Sequence, residues 1–446
     1  MHVAIIGNGI SGISAARWIR KLSDHKITVI SSESDHFFSR TALMYIYMGH
    51  MRYQDTKPYE DWFWEKNKID LINGHVDAIN FEENTLLLSS KESIQYDHLI
   101  LATGSTSNKF GWPGQDLNKV GGLYNLQDLE NIESHSEGLS RAVIVGGGLI
   151  GIELAEMYRS RNIPVTMLVR EGSFWNNVLP PEESEIVNRE ILKHHIDLKL
   201  NANLQEIVDD GNGSACGIIV KETGERIDCG YVGLTAGVSP NIKWLKESSL
   251  ETNRGILVDQ TLRTNIPNVW AIGDCAELRE PKYGRRGIEA IWYTGRMMGE
   301  TCAYNLCGTE VDYDPGIWFN SAKFFDIEYQ VYGQVAAFLP EGSEVIYWEH
   351  PDGNKSVRII YNTATLAVEG FNLMGIRFRH EVCEKWLKEK TNIESVLSNL
   401  RLALFDPEFY TDEMDQVVKE YETKSGKSIK SKGGFNLNKV LAFLKS

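Results

Sequence analysis

The sequence predicts an α/β protein with two strand–glycine loop–helix units and a separate α+β region behind them. Three observations carry this reading. Val3-Ala4-Ile5-Ile6 is an apolar run without polar alternation, as in a strand buried on both faces. Gly7, Gly9 and Gly12 follow in the spacing G-x-G-x-x-G, and Ile13 to Leu22 is expected to be a helix. The same succession returns in Arg141–Val145, then Gly146, Gly148 and Gly151, then a helix expected from Ile152 to Ser160. Beyond Pro315 the texture changes to short strands followed by helices, the mark of a separate α+β domain.

Each glycine of such a loop has a physical task. Gly7 permits the tight turn, Gly9 lets a pyrophosphate approach the backbone, and Gly12 lets the helix pack closely on the strand. A second strand is expected at Ile27–Ile30, and Glu33 follows at the distance where an acid meets a ribose hydroxyl. Two such units in full context imply two Rossmann-like domains and two bound dinucleotides.

Composition narrows the partners. Of 446 residues, 42% are hydrophobic and 24% charged, the balance of a globular chain of two to four domains. The net charge of −15 argues against nucleic acid and against anionic membrane surfaces. No apolar run is long enough for a membrane span, and an apolar strand starting at residue 2 argues against a cleavable signal peptide. Six scattered cysteines suggest a reducing, cytoplasmic setting.

After the first unit, an aromatic, helix-like segment runs to Trp64. Ile69–Phe81 and Thr85–Leu88 are expected to pair as strands around a Glu83-Asn84 turn. Tyr96–Thr103 is a further apolar strand, and Lys109–Asn118, rich in Gly, Pro and Trp, is expected to cross between domains. Val165–Val169 is the second strand of the second unit. Tyr231–Ala236 leads into Gly237, and Val269-Trp270-Ala271-Ile272 ends in Gly273-Asp274, an acid at a strand's carboxyl end where open α/β sheets bind ligands. A helix is expected over Ile291–Leu306. Farther on, strands are expected at Phe324–Val335, Val345–His350, Ser356–Tyr361 and Ala367–Asn372. Helices follow at Phe378–Lys390, Ile393–Leu400, Asp412–Glu422 and Phe435–Leu444.

With Gly7/Gly9/Gly12, Ala102-Thr103-Gly104, Gly146/Gly148/Gly151 and Gly273-Asp274 in this order, the chain resembles the FAD/NAD(P)-dependent pyridine nucleotide–disulfide oxidoreductase superfamily. Phe38-x-Arg40 with Leu43 is similar to the branch of rubredoxin and ferredoxin reductases, NADH oxidases and nitrite-reductase flavin domains. The resemblance implies a discontinuous FAD domain (1–110 and 240–315), an NAD(P) domain inserted at 111–239, and an interface or dimerisation-like C-terminal domain at 316–446, hence a homodimer. It implies that Gly7, Gly9, Ile10, Ser11 and Gly12 hold the FAD pyrophosphate, and that Ser32 or Glu33 meets the adenosine ribose. Arg40, Val76, Ala102, Thr103 and Gly104 would lie along FAD, with Gly273 and Asp274 at the ribityl chain. A helix opening at Ile291 and Trp292 would aim its positive end at the flavin. Gly146, Gly148, Leu149, Ile150, Gly151, Glu153, Arg170 and Gly237 would hold the nicotinamide cofactor.

The departures from the family pattern shape the expected chemistry. No cysteine precedes Cys216, so the early redox-active thiols of the disulfide reductases are missing. Cys302 and Cys307 lie in the late helix and are assigned a structural role. A flavin-adjacent lysine of many ferredoxin reductases aligns near Tyr45, which leaves its pairing with Glu153 open. Arg170 favours NADPH while Glu171 favours NADH, and both remain in play. The expected function is an oxidoreductase moving hydride from NAD(P)H to FAD and electrons onward to a small iron–sulfur protein, a quinone or oxygen. No catalytic acid or base is assigned, and no metal. The alternative is an FAD-binding redox-sensing or assembly component with little turnover.

Secondary candidates each carry a plainer alternative. Arg377, Arg379 and His380 would either contact an anionic substrate or start an exposed helix. Lys424, Lys427, Lys430 and Lys432 would dock an acidic carrier or form a solvated linker. Trp62 and Trp64 are assigned to packing. Tyr45, Trp292 and Tyr293 are candidates for an aromatic flavin entrance.

Overall fold

The structure, a computed structural model, describes residues 1–405, 413–430 and 440–443. Its first sheet is five-stranded and parallel, in the order Val269–Ala271, His98–Leu101, His2–Ile6, Lys26–Ser31, Ile69–Asn73. Val3, Ala4, Ile5, Ile27, Val29 and Ile30 are buried to the last atom or nearly so, which explains their unbroken apolar runs. The helix Ile10–Leu22 connects the first two strands, and the helix Trp292–Leu306 crosses it closely. Gly295 and Gly299 face Ser11 at that crossing, where a Cβ would not fit.

The expected strand Ile69–Phe81 is two strands. It breaks at Gly74-His75. Ile69–Asn73 stays in the parallel sheet, while Val76–Asn80 opens a three-stranded antiparallel sheet with Thr85–Leu88 and Ser93–Gln95. The chain then leaves along Ser105–Ser107 and comes back along Val238–Pro240, the two segments pairing antiparallel as a ribbon.

Between these segments lies a second parallel sheet, ordered Asp197–Leu200, Val165–Val169, Ala142–Val145, Tyr231–Leu234, Val120–Gly121. The helix Leu149–Ser160 follows its glycine loop. Both glycine-loop helices start three residues earlier than expected, because the loop's last glycine already belongs to the first turn. Sequence reading passed over the helices Leu126–Ser134 and Pro181–Lys193. It also passed over the small antiparallel sheet of Leu204–Asp209, Ala215–Val220 and Arg226–Asp228.

The C-terminal region forms a five-stranded antiparallel sheet in the order Phe319–Phe324, Ile327–Gly333, Val368–Met374, Ser356–Asn362, Ser343–Glu349. The strand expected over Phe324–Val335 runs Ile327–Gly333, and with Phe319–Phe324, which sequence reading passed over, it makes a hairpin. It turns at Phe325-Asp326, with Phe325 in the left-handed region (φ 52°). One face of the sheet packs on the helices His380–Lys388, Ile393–Ser398 and Met414–Ser425. Its other face meets the helix Pro181–Lys193, where Arg358 reaches Glu183 and Glu182. The expected helices Asp412–Glu422 and Phe435–Leu444, and Lys432 of the basic tail, lie partly or wholly outside the described residues.

Candidate functional site

One cavity of about 2900 Å³ is bordered by the first sheet, by the helix Leu149–Ser160 of the second unit and by the C-terminal sheet. The first glycine loop forms part of its floor, and its three glycines have three different surroundings. Gly7 sits at φ +113°, and a Cβ there would lie 2.1 Å from the Ala102 carbonyl oxygen. A Cβ on Gly12 would lie 2.0 Å from the Gly7 oxygen. Gly9 has nothing within 4 Å of that position and lines the cavity. Gly9 is also the N-cap of Ile10–Leu22, so the unpaired amides of the helix's first turn lie at the cavity floor. Backbone turn, helix contact and open approach are thus divided among the three positions.

Of the remaining first-site candidates, Ile10, Ser11, Ser32, Glu33, Arg40 and Val76 line the cavity. So do Ala102, Thr103, Gly104, Asp274, Ile291 and Trp292. Gly12 and Gly273 do not; Gly273 lies under Ser11, with no room for a side chain. Ile291 caps the helix Trp292–Leu306, whose opening turn faces the cavity with Tyr293 beside it.

Glu33 and Arg40 are joined to each other. The guanidinium donates to both carboxylate oxygens at 2.9 and 2.5 Å and to the Tyr124 carbonyl at 2.6 Å. Glu33 also accepts from the Leu126 amide at 3.1 Å. Asp274 is partly buried, and desolvation pushes its carboxyl above the usual range. It accepts from the Tyr124 hydroxyl at 3.1 Å and the Ser105 hydroxyl at 3.3 Å. Tyr124 therefore binds the Arg40 and Asp274 groups together. Sequence reading missed it, for it stands in no motif and precedes a helix that was not foreseen.

The second loop repeats the first. Gly146 sits at φ +135° with a Cβ position 2.5 Å from the Thr235 oxygen, Gly151 is crowded by the Gly146 oxygen, and Gly148 faces open space. From this unit Leu149, Ile150 and Glu153 reach the cavity; Gly146, Gly148, Gly151, Arg170 and Gly237 do not line it. Arg170, 75% exposed, pairs with Glu171 at 2.7 Å, so the two residues that pull nucleotide choice in opposite directions neutralise each other. Burial, with Glu156 nearby, pushes the Glu153 carboxyl up to about 7. Lys323 also lines the cavity and donates to Glu156, at 2.8 Å.

Other candidates fall into place. Tyr45 and Tyr293 line the cavity, Trp64 is core and Trp62 is exposed. Cys302 is fully buried behind the first sheet, and no cysteine among the described residues lines the cavity. His380 opens its helix against Phe319, with ring centroids 4.8 Å apart. Arg377 lies 3.4 Å from Glu328, and Lys424 and Lys427 pair with Glu344 and Glu394. Among the described residues, no helix is long and apolar enough to cross a membrane.

A family model described as pyridine nucleotide-disulphide oxidoreductase matches residues 1–299. The chain is 26% identical over 393 residues to a nitrite reductase [NAD(P)H] of Bacillus subtilis, covering 82% of this chain and 48% of that one. It thus spans about half of that relative's length. It is 26% identical over 313 residues to a rubredoxin-NAD(+) reductase of Pseudomonas putida, covering 69% of this chain and 80% of the other. A solved ferredoxin reductase from Rhodopseudomonas palustris shares the fold, with a TM-score of 0.76 and 24% identity, over 84% of this chain and 91% of that one.

Proposed function

We propose, from a chain that belongs to the pyridine nucleotide-disulphide oxidoreductase family, a flavoprotein that takes electrons from NAD(P)H through FAD to a separate acceptor. The observation that carries this is the single cavity reached both by the first glycine loop and by Leu149, Ile150 and Glu153 behind the second. Two dinucleotides laid on the two loops meet there. The first site fits FAD: Gly9 leaves open space at a helix N-terminus, and Asp274 is a partly buried acid with hydroxyl donors on one side and the cavity on the other. When bound, FAD supplies the exchange between a nicotinamide's electron pair and an acceptor.

The chain's own residues do the holding and orienting. The first turn of Ile10–Leu22 faces phosphate, Glu33 with Arg40 forms a neutral wall at the adenosine end, and Tyr124 fixes the Asp274 carboxyl. The opening turn of Trp292–Leu306 offers its positive end to the flavin edge. In this reading the FAD domain is 1–110 with 240–315, the NAD(P) domain 111–239, and the C-terminal domain 316–446 serves a homodimer contact. The acceptor is a small iron–sulfur protein, in keeping with the rubredoxin and ferredoxin reductases among the similar proteins.

Anaerobic mixing with NADH and with NADPH tests the reading. Rapid bleaching of the flavin is expected with at least one of them. A chain that keeps FAD and bleaches with neither is a sensing or assembly component instead.

A further inference from the structure

Glu153 sits on the cavity side of the helix Leu149–Ser160, and none of its carboxylate oxygens has a hydrogen-bond or ion-pair partner among the described residues. One turn outward on the same helix stands Glu156, which Lys323 holds at 2.8 Å. Residues three apart share a helix face, so the two acids form a step from cavity to rim. The side-chain exposures continue outward, with Glu156 at 14% and Lys323 at 43%.

Against this helix Leu43–Tyr47 brings Tyr45 and Tyr47, and Tyr231–Leu234 brings Tyr231. Tyr47 is engaged by Ser136 and Tyr231 by Asn131. Ala142–Val145 and Val165–Val169 bring no titratable group, and Phe319–Phe324 brings Lys323 alone. The cation these elements bring, Lys323, is committed to Glu156. Burial and the Glu156 charge then hold Glu153 at a pKa of about 7, poised to load and unload a proton near neutrality.

We propose that Glu153 takes up the proton left in the cavity when an electron pair departs as single electrons, and that Glu156, held by Lys323, passes it to solvent. This rests on the functional reading above. The balance is NAD(P)H → NAD(P)⁺ + 2 e⁻ + H⁺, with each electron going to a one-electron carrier and the proton to the Glu153 carboxylate. From there it moves to the Glu156 carboxylate and then to water.

The test reads the proton itself. Holoenzyme reduced anaerobically with dithionite is mixed with ferricyanide, a one-electron oxidant, in weak buffer containing a pH-indicator dye. In the unaltered protein, proton release should keep step with the return of flavin colour. In Glu153→Gln it should lag by about tenfold or more, and Glu156→Gln should lag with the inner acid still present. In parallel, infrared spectra of the protein should show a neutral carboxylic acid band that titrates near pH 7 and is lost in Glu153→Gln. Release in step with colour in both variants, or a titrating band unchanged in Glu153→Gln, overturns the proposal. If the purified chain carries no flavin, the functional reading fails instead, and the infrared titration still reports on Glu153. If Glu153→Gln does not fold, Glu156→Gln decides.

Discussion

Three glycines of one loop differ in what they tolerate. At Gly7 a methyl group would strike the Ala102 carbonyl in a left-handed backbone, and neither can move without breaking the sheet. Gly7→Ala is expected to cost more than about 2 kcal/mol and to yield little soluble protein. Gly9→Ala meets nothing, so the flavin-free protein should melt within about 0.5 kcal/mol of its parent and still fail to retain FAD. Flavin content and apoprotein melts check both. Glu153 adds a pH dependence. Its folded pKa of about 7 lies above the usual 4.5, so the folded state binds the proton more tightly than the unfolded chain. That contribution is whole below the unfolded value and is lost as pH rises through 7, by at most about 3 kcal/mol. Glu153→Gln should match the parent near pH 4 and melt higher near pH 8. Equal melts at both pH values contradict the burial assigned to this acid.

At the scale of elements, the C-terminal sheet is held to the second unit by a buried ion pair. Arg358 donates to Glu183 at 2.7 and 2.9 Å and to Glu182 at 2.7 Å, with Glu183 wholly buried. Arg358→Ala strands that carboxylate and should cost about 3–5 kcal/mol, more at high pH, where Glu183 cannot escape by taking a proton. The double change Arg358→Met with Glu183→Leu should recover most of the loss in denaturant unfolding. Failure to recover it would place the importance of Arg358 elsewhere. The elements themselves were legible to different degrees. Apolar runs such as Val3–Ile6 and Ala142–Val145 announced parallel strands, because both faces are covered. The hairpin at Phe325-Asp326 did not show, for its first arm, Phe319–Phe324, is half polar, its turn holds no glycine or proline, and Phe325 turns in a conformation unusual for an aromatic residue. The helix Pro181–Lys193 did carry its signal, a proline and two acids at its start, and it was passed over.

For the whole molecule, the site is an assembly of segments distant in sequence, and this limited what could be read. The loop glycines were legible because each answers to its own neighbours. The Tyr124–Asp274 bond spans 150 residues and the Lys323–Glu156 pair spans 167, and no local pattern encodes either contact. The same assembly has a thermodynamic consequence. The cavity is bounded by residues of the first sheet, the helix Leu149–Ser160 and the C-terminal sheet, so a dinucleotide bound there touches only the folded chain and stabilises it by mass action. At a thousandfold excess over its dissociation constant, this amounts to about 4 kcal/mol. Stripping FAD should therefore lower the calorimetric melting temperature, and adding FAD back should restore it in a concentration-dependent way. Because Leu149, Ile150, Glu153 and Lys323 border the same space, loss of FAD should also loosen the contact between the second unit and the C-terminal sheet. Faster amide exchange at both Leu149–Ser160 and Phe319–Phe324 in the apoprotein would register that loosening. Identical melts and exchange with and without FAD would mean that the cavity does not couple the three parts.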